Sequence, residues 1–460
     1  MFEMRKVGAV LTALFAVSGS VYAASEADAA KLGKELTAVG AEKGANKDGS
    51  IPAWVGTEAP TAGWAYGKSR AAHFKYQSDK PLYSIDASNV DKYADKLSPG
   101  QIQQVKQSKG YKMEVYPTRR TCGNPDFVVE NTKKNVTTAK LGADGWSLKE
   151  ATMPGVPFAV PKTGTEVIWN SKMRYAGVGF ELPSVHTALS PRQGSSEWID
   201  AVSTQTYFFP WGKKGSAPLS SFPQAEYFTY FAYKSPTALA GQALAITNYL
   251  DKTNEVFYYF PGQRRVRRMP TYAYDAPQIG FENQYTMDEP RMFNGTIERF
   301  DWKLVGKKEL IVGYNAFGMY DPNVKFNDVA KDDGVVSANR RYELHRVWVV
   351  EATVKAGVRH VAPKRTFYID EDSWAMVVAE DYDAQGKLWK LREGFVIPVY
   401  ETGSCDNPSF VQYNLIDNRY IVDQGSLGAG KDMRWFVEAN DPKLKEGFYT
   451  SDNLRAISER

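Results

Sequence analysis

The stretch from Arg340 to Phe395 constrains the fold more than any other part of this 460-residue chain. It reads as four consecutive strands. Tyr342 to Val354 is rich in Val, Trp and Thr, which suit a pleated, half-buried surface, and Ala356-Gly357 breaks it. Arg365 to Ile369 follows, with Arg365, Phe367 and Ile369 on one face and Thr366 and Tyr368 on the other. The acidic turn Asp370-Glu371-Asp372-Ser373 leads into Trp374 to Tyr382, and Ala384 to Lys387 turns the chain into Leu388 to Phe395. Period-two alternation with Gly, Asp and Ser at the joints predicts an antiparallel meander. The aromatic content, 27 Tyr, 23 Phe and 11 Trp, favours strands over a helical bundle.

Strands are also expected over 198–202, 206–211, 227–233, 300–305 and 308–312. The cleanest hairpin joins Ala243–Leu250 to Glu255–Phe260 through Asp251-Lys252-Thr253-Asn254. Helices are expected where polar caps precede periodic segments: after Ser25 with Asp28 at N3, after Ser88, after Ser98 with Pro99 at N1 and Gln101 at N3, and after the capping box Thr163-x-x-Glu166. The chain therefore divides into a helical and irregular arm (24–162), a sheet domain (163–400) and a C-terminal tail packing on that domain (401–460).

Residues 1–23 predict the compartment. Arg5 and Lys6 precede the apolar run Val7 to Val17, and Val21-Tyr22-Ala23 has the small-x-small form of a cleavage site. The run is too short to span a bilayer, so a cleaved export signal is expected, with a mature chain starting near Ala24. The product is expected to be soluble and exported. In that oxidising setting Cys122 and Cys405, the only two cysteines, most simply form one disulfide, two free thiols being the alternative. With 57 basic and 53 acidic residues the net charge is +4, which gives no concentrated basic field for nucleic acid.

Three blocks carry a resemblance to a known family: Phe260 to Pro270 (FPGQRRVRRMP), Phe300 to Lys308 (FDWKLVGKK) and Tyr342 to Val350 (YELHRVWVV) with the meander behind it. Leu36 to Lys43 and Ile51-Pro52-Ala53-Trp54 resemble the same family's N-terminal signature. Together they resemble the domain-of-unknown-function 1329 (DUF1329) family of exported proteobacterial proteins, itself described as similar to outer-membrane lipoprotein-sorting carriers. The resemblance implies an α+β, mainly antiparallel fold: a large curved, unclosed half-barrel sheet with covering helices and an apolar cavity. It also implies a periplasmic location, soluble or peripheral to the outer membrane, and a hydrophobic small molecule or lipid as ligand. The implied partners are an inner-membrane exporter of the resistance-nodulation-division type and an outer-membrane protein.

On that fold, Leu244, Ile246, Tyr258, Phe260, Trp348, Trp374 and Met376 are candidate ligand contacts, although core packing explains the same stripe. Arg264 and Arg268, on one face of a basic cluster with Arg265 and Arg267 on the other, are candidates for a headgroup site at the rim. The alternative pairs these arginines with acidic turns such as Asp370 to Asp372. The four histidines, His73, His186, His345 and His360, are too scattered to predict a metal site, and no HExxH, GxSxG or P-loop motif occurs. Asn46-x-Asp48-Gly49 matches part of a calcium loop, but Gly44 holds the first ligand position and no Glu closes it. No catalytic residue, cofactor or metal is expected. The reading is a binding or carrier protein, then an envelope structural or adaptor protein, then a hydrolase acting on a lipophilic substrate.

Overall fold

The meander is the spine of the fold. In a computed structural model, which describes residues 24–459, Arg341–Val354, Lys364–Asp370, Met376–Tyr382 and Leu388–Gly394 are successive antiparallel neighbours. The sheet continues through Phe410–Asn414, Arg419–Gly425, Gly179–Leu189, Ile199–Phe208, Ala225–Ser235, Ala243–Tyr249 and Glu255–Phe260 to the edge strand Arg265–Arg268. At its other end Phe300–Gly313 pairs with Arg341–Val354, and among the described residues the two ends do not pair with each other. The result is a curved, unclosed, mainly antiparallel sheet, with Met113–Val115 running parallel beside Arg341–Val354. The expected leader, residues 1–23, lies outside the described residues.

Several expected elements change shape for identifiable reasons. The two short strands at 198–211 are one, Ile199–Phe208, and the two at 300–312 are one, Phe300–Gly313. In the second, a bulge between Leu304 and Gly306 sets Val305 outward, and Gly306 adopts φ 141°. Gly179–Leu189 was not expected, because Pro183 interrupts its pattern; the register shift between Leu182 and Val185 accommodates that proline. The C-terminal segment is more than a tail. Phe410–Asn414 and Arg419–Gly425 sit in the middle of the sheet and join its two halves.

Two of the four expected caps start full helices. Ser98 and Gln101 form a reciprocal box before Pro99–Gln107, as do Thr163 and Glu166 before Gly164–Lys172. Ser25 and Asp28 do the same, but that helix lasts only Glu26–Ala29, and the segment after Ser88 is a 3-10 turn, Val90–Lys96. Pro99–Gln107 lies on the outer face of the meander, where the Gly100 N–H donates to the Glu380 carboxylate at 2.6 Å. The segment ending in Ser451–Ser458 covers the outer face of the other half, packing Tyr449 and Leu454 against Phe208, Phe228 and Tyr259. Cys122 and Cys405 are bonded, with Cα atoms 5.5 Å apart across 283 residues of sequence, so the arm is tied to the hairpin Ile397–Val399/Ser404–Asp406.

Candidate functional site

The inner face of the sheet is crossed by residues 269–299, which leave the edge strand Arg265–Arg268 and return to start Phe300–Gly313 without forming a helix or strand. This strap is latched by buried polar contacts. Asp288 accepts from Arg365 (2.6 Å), His360 (2.9 Å) and the Thr286 hydroxyl (2.7 Å). Although burial alone would raise the Asp288 carboxyl, the Arg365 guanidinium and these donors hold it well below the usual range. Glu289 accepts from Lys390 (2.6 Å) and Gln412 (3.0 Å). Arg291 places its guanidinium among the rings of Phe180, Tyr207, Phe209 and Tyr227, 5.3–5.6 Å from each centroid.

Between the strap and the strands from Thr187 to Asn248 a cavity remains. Its walls are Phe231, Tyr233, Leu244 and Ile246 on the sheet and Tyr272, Phe281 and Met287 on the strap, with Gln205, Tyr207, Tyr227, Asp423 and Gln424 at the inner end. The space free of atoms, mouth included, is about 630 Å³, but only about 60 Å³ of it can hold the centre of a water-sized molecule. The cavity is thus a narrow slot. Burial pushes the Asp423 carboxyl up to about 6, despite hydrogen bonds from Tyr285 (2.6 Å) and Thr187 (2.9 Å).

The expected single aromatic pocket is divided in two. Leu244 and Ile246 line the slot, and Tyr258 stands just behind Tyr272, its hydroxyl bonded to Gln242 at 2.6 Å and its ring stacked on Phe260 at 4.5 Å. Trp348 and Trp374 stack 6.1 Å apart elsewhere, beneath the N-terminal arm: the Trp374 indole donates to the Val39 carbonyl at 3.0 Å, and Lys307 covers Trp348 at 4.6 Å. Met376 is buried opposite Ile369, which itself pairs with Trp348. The arm occupies space that the stripe would otherwise offer a ligand.

Arg264 sits in a left-handed turn at φ 48°, and Arg268 lies on the exposed edge strand, 2.9 Å from Glu255. Neither reaches the slot, nor do they pair with Asp370 to Asp372. Those acids turn to the arm and the meander instead, where Arg120 grips both oxygens of Asp372 (2.8 and 2.9 Å) and Arg346 and Lys307 hold Glu371. Among the described residues His345, Asp370 and Asp372 bring ligand-type atoms within 4.8 Å of one another. With Arg120 on Asp372 and Glu343 3.1 Å from the His345 ring, the arrangement is an internal ion-pair network.

Sequence reasoning missed Gln205, Tyr207, Phe231, Tyr233, Asp423 and Gln424. The period-two series Tyr227, Thr229, Phe231, Tyr233 carried a usable signal, since a strand was expected there and these residues share one face.

The model of a protein family of unknown function, DUF1329, matches residues 84–455. The chain belongs to the DUF1329 family. An uncharacterized protein of Pseudomonas aeruginosa is 39% identical over 452 residues, covering 96% of each chain. Among solved structures, this DUF1329 chain is similar to one from Vibrio parahaemolyticus described as an outer membrane lipoprotein-sorting protein domain. That match has 14% identity and a TM-score of 0.41, covering 63% of this chain and 97% of that one. A DUF1329 family protein from Desulfovibrio piger matches at 12% identity and a TM-score of 0.39, covering 62% and 98%. A LolA superfamily protein from Nitrosomonas europaea matches at 10% identity and a TM-score of 0.35, covering 64% and 99%. Among the described residues, no helix is long and apolar enough to cross a membrane.

Proposed function

We propose that the protein is a non-catalytic binding or carrier protein of the periplasm, taking a hydrophobic small molecule, or one end of a lipid, between the sheet and the strap. The observation that carries this reading is the slot itself. Phe231, Leu244 and Ile246 of the sheet and Phe281 of the strap line open space between the two. Apolar surface covered there contributes roughly 25 cal/mol per Å², so a ligand covering a few hundred Å² gains several kcal/mol before ordering costs. A ligand longer than the slot needs the strap to lift, and the strap has no regular secondary structure to lose. The export signal expected at the N-terminus and the single disulfide support a periplasmic setting. An inner-membrane exporter of the resistance-nodulation-division type and an outer-membrane protein are the proposed partners.

One observation favours the second reading, an envelope adaptor: the arm already packs Trp348 and Trp374, so half of the expected pocket is closed by the protein's own chain. A fluorescent apolar probe separates the two. N-phenyl-1-naphthylamine should bind the mature protein saturably, and Ile246→Trp, which fills the slot, should abolish that binding while unfolding stays cooperative. Equal probe binding by wild type and Ile246→Trp, or none by either, supports the adaptor instead.

A further inference from the structure

The slot's inner end says which headgroup it accepts. Its wall contains no Lys, Arg or His. The Arg291 guanidinium packs over the rings of Tyr207 and Tyr227 (5.6 Å to each centroid), outside that lining, and faces Asp406 at 3.9 Å. Two acceptors among its residues are unpartnered. Gln424 Oε1 and Asn248 Oδ1 are buried and have no hydrogen-bond partner. The Gln424 amide is held in one orientation, because its Nε2 donates to Gln205 Oε1 at 3.1 Å and to the Tyr207 hydroxyl. That hydroxyl in turn donates to Gln205 Oε1 at 3.2 Å.

Both amides sit where the strand register shifts, at Val422/Gly425 and at Asn248/Tyr249, and Gln424 adopts φ 51°. Such irregularities re-aim side chains beside binding sites. Each free carbonyl oxygen, buried without a donor, costs free energy that a donating ligand recovers. Asp423, held by Tyr285 and Thr187 at the same end, adds an acceptor and no positive charge.

We propose that the slot selects a neutral ligand that donates hydrogen bonds, a hydroxylated or N–H-bearing ring, over an anionic lipid headgroup. The proposal rests on the binding reading above and names the class of ligand within it. It also separates the slot from the edge arginines, which cannot reach a headgroup held there.

Three matched probes test it by titration calorimetry on the mature protein at neutral pH: 1-naphthol, which donates; 1-methoxynaphthalene, which cannot; and 1-naphthoate, which is anionic. The expected order is 1-naphthol about tenfold tighter than 1-methoxynaphthalene, with 1-naphthoate weakest. Asn248→Leu should bring the first two closer together. Equal affinities for 1-naphthol and 1-methoxynaphthalene in the wild type overturn the donor requirement, and 1-naphthoate binding as well as 1-naphthol overturns the exclusion of anions. Both results leave the binding reading intact. If none of the three binds and N-phenyl-1-naphthylamine also fails, the proposal and the reading under it both fall.

Discussion

Asp423 lies wholly buried at the slot's inner end, with its carboxyl pushed from the ordinary 3.8 up to about 6 by loss of solvent. The folded state therefore holds this proton more tightly than the unfolded chain does. The stabilisation is fully present below 3.8 and is lost as pH rises through about 6. That gap corresponds to about 3 kcal/mol. Asp423→Asn removes this dependence. In urea unfolding, wild type should gain up to about 3 kcal/mol on the variant between about pH 7.5 and about pH 4. A difference that stays constant with pH contradicts the assignment. Trp348 gives a second residue-level expectation: because it lies under the arm, Trp348→Ala should leave N-phenyl-1-naphthylamine affinity within about twofold. A larger loss of probe binding, with the fold intact, would place the ligand under the arm rather than under the strap.

At the scale of elements, the strap decides whether the inner face is open or closed. Asp288 is its firmest latch, and Asp288→Ala leaves Arg365 and His360 buried with one acceptor fewer, although Asp381 still bonds Arg365 at 2.9 Å. Removing one partner of a buried pair costs about 3–5 kcal/mol. The variant should lose roughly that much in urea unfolding, and proteolysis should cut it first within 269–299. Cleavage elsewhere first would mean that another segment opens more readily. The same buried polarity explains what the sequence concealed. Helix Asp126–Thr138 buries Asn131, Thr132 and Asn135, whose side chains bond Pro154, Val128, Thr152 and Val156, between Val128 and Val136, so its inward face has no continuous apolar stripe to detect. Strand Phe410–Asn414 buries Gln412 against Arg392 and Glu289 in the same way. The meander and the hairpin were legible because their turns and alternation are local. The division of the aromatic stripe was not legible, because it depends on where Val39 of the arm, 335 residues from Trp374 in sequence, and Tyr272 of the irregular strap come to rest.

For the whole molecule, the disulfide closes a loop of 283 residues in sequence separation, for which chain-entropy reasoning gives about 5 kcal/mol of stabilisation. Cys122→Ser with Cys405→Ser should lower unfolding stability by an amount of that order, and reductant should do the same to the wild type alone. No change on reduction would show that the contacts around Cys122, such as the Tyr314 hydroxyl at 2.9 Å, hold the arm by themselves.

The central claim is that the protein holds a ligand under its strap. Native mass spectrometry of protein purified from its own periplasm tests this most directly, with organic extraction of whatever accompanies it. The account predicts a reproducible, releasable small-molecule mass that disappears in Ile246→Trp. A clean apo mass for the wild type, from preparations kept free of detergent, would contradict it.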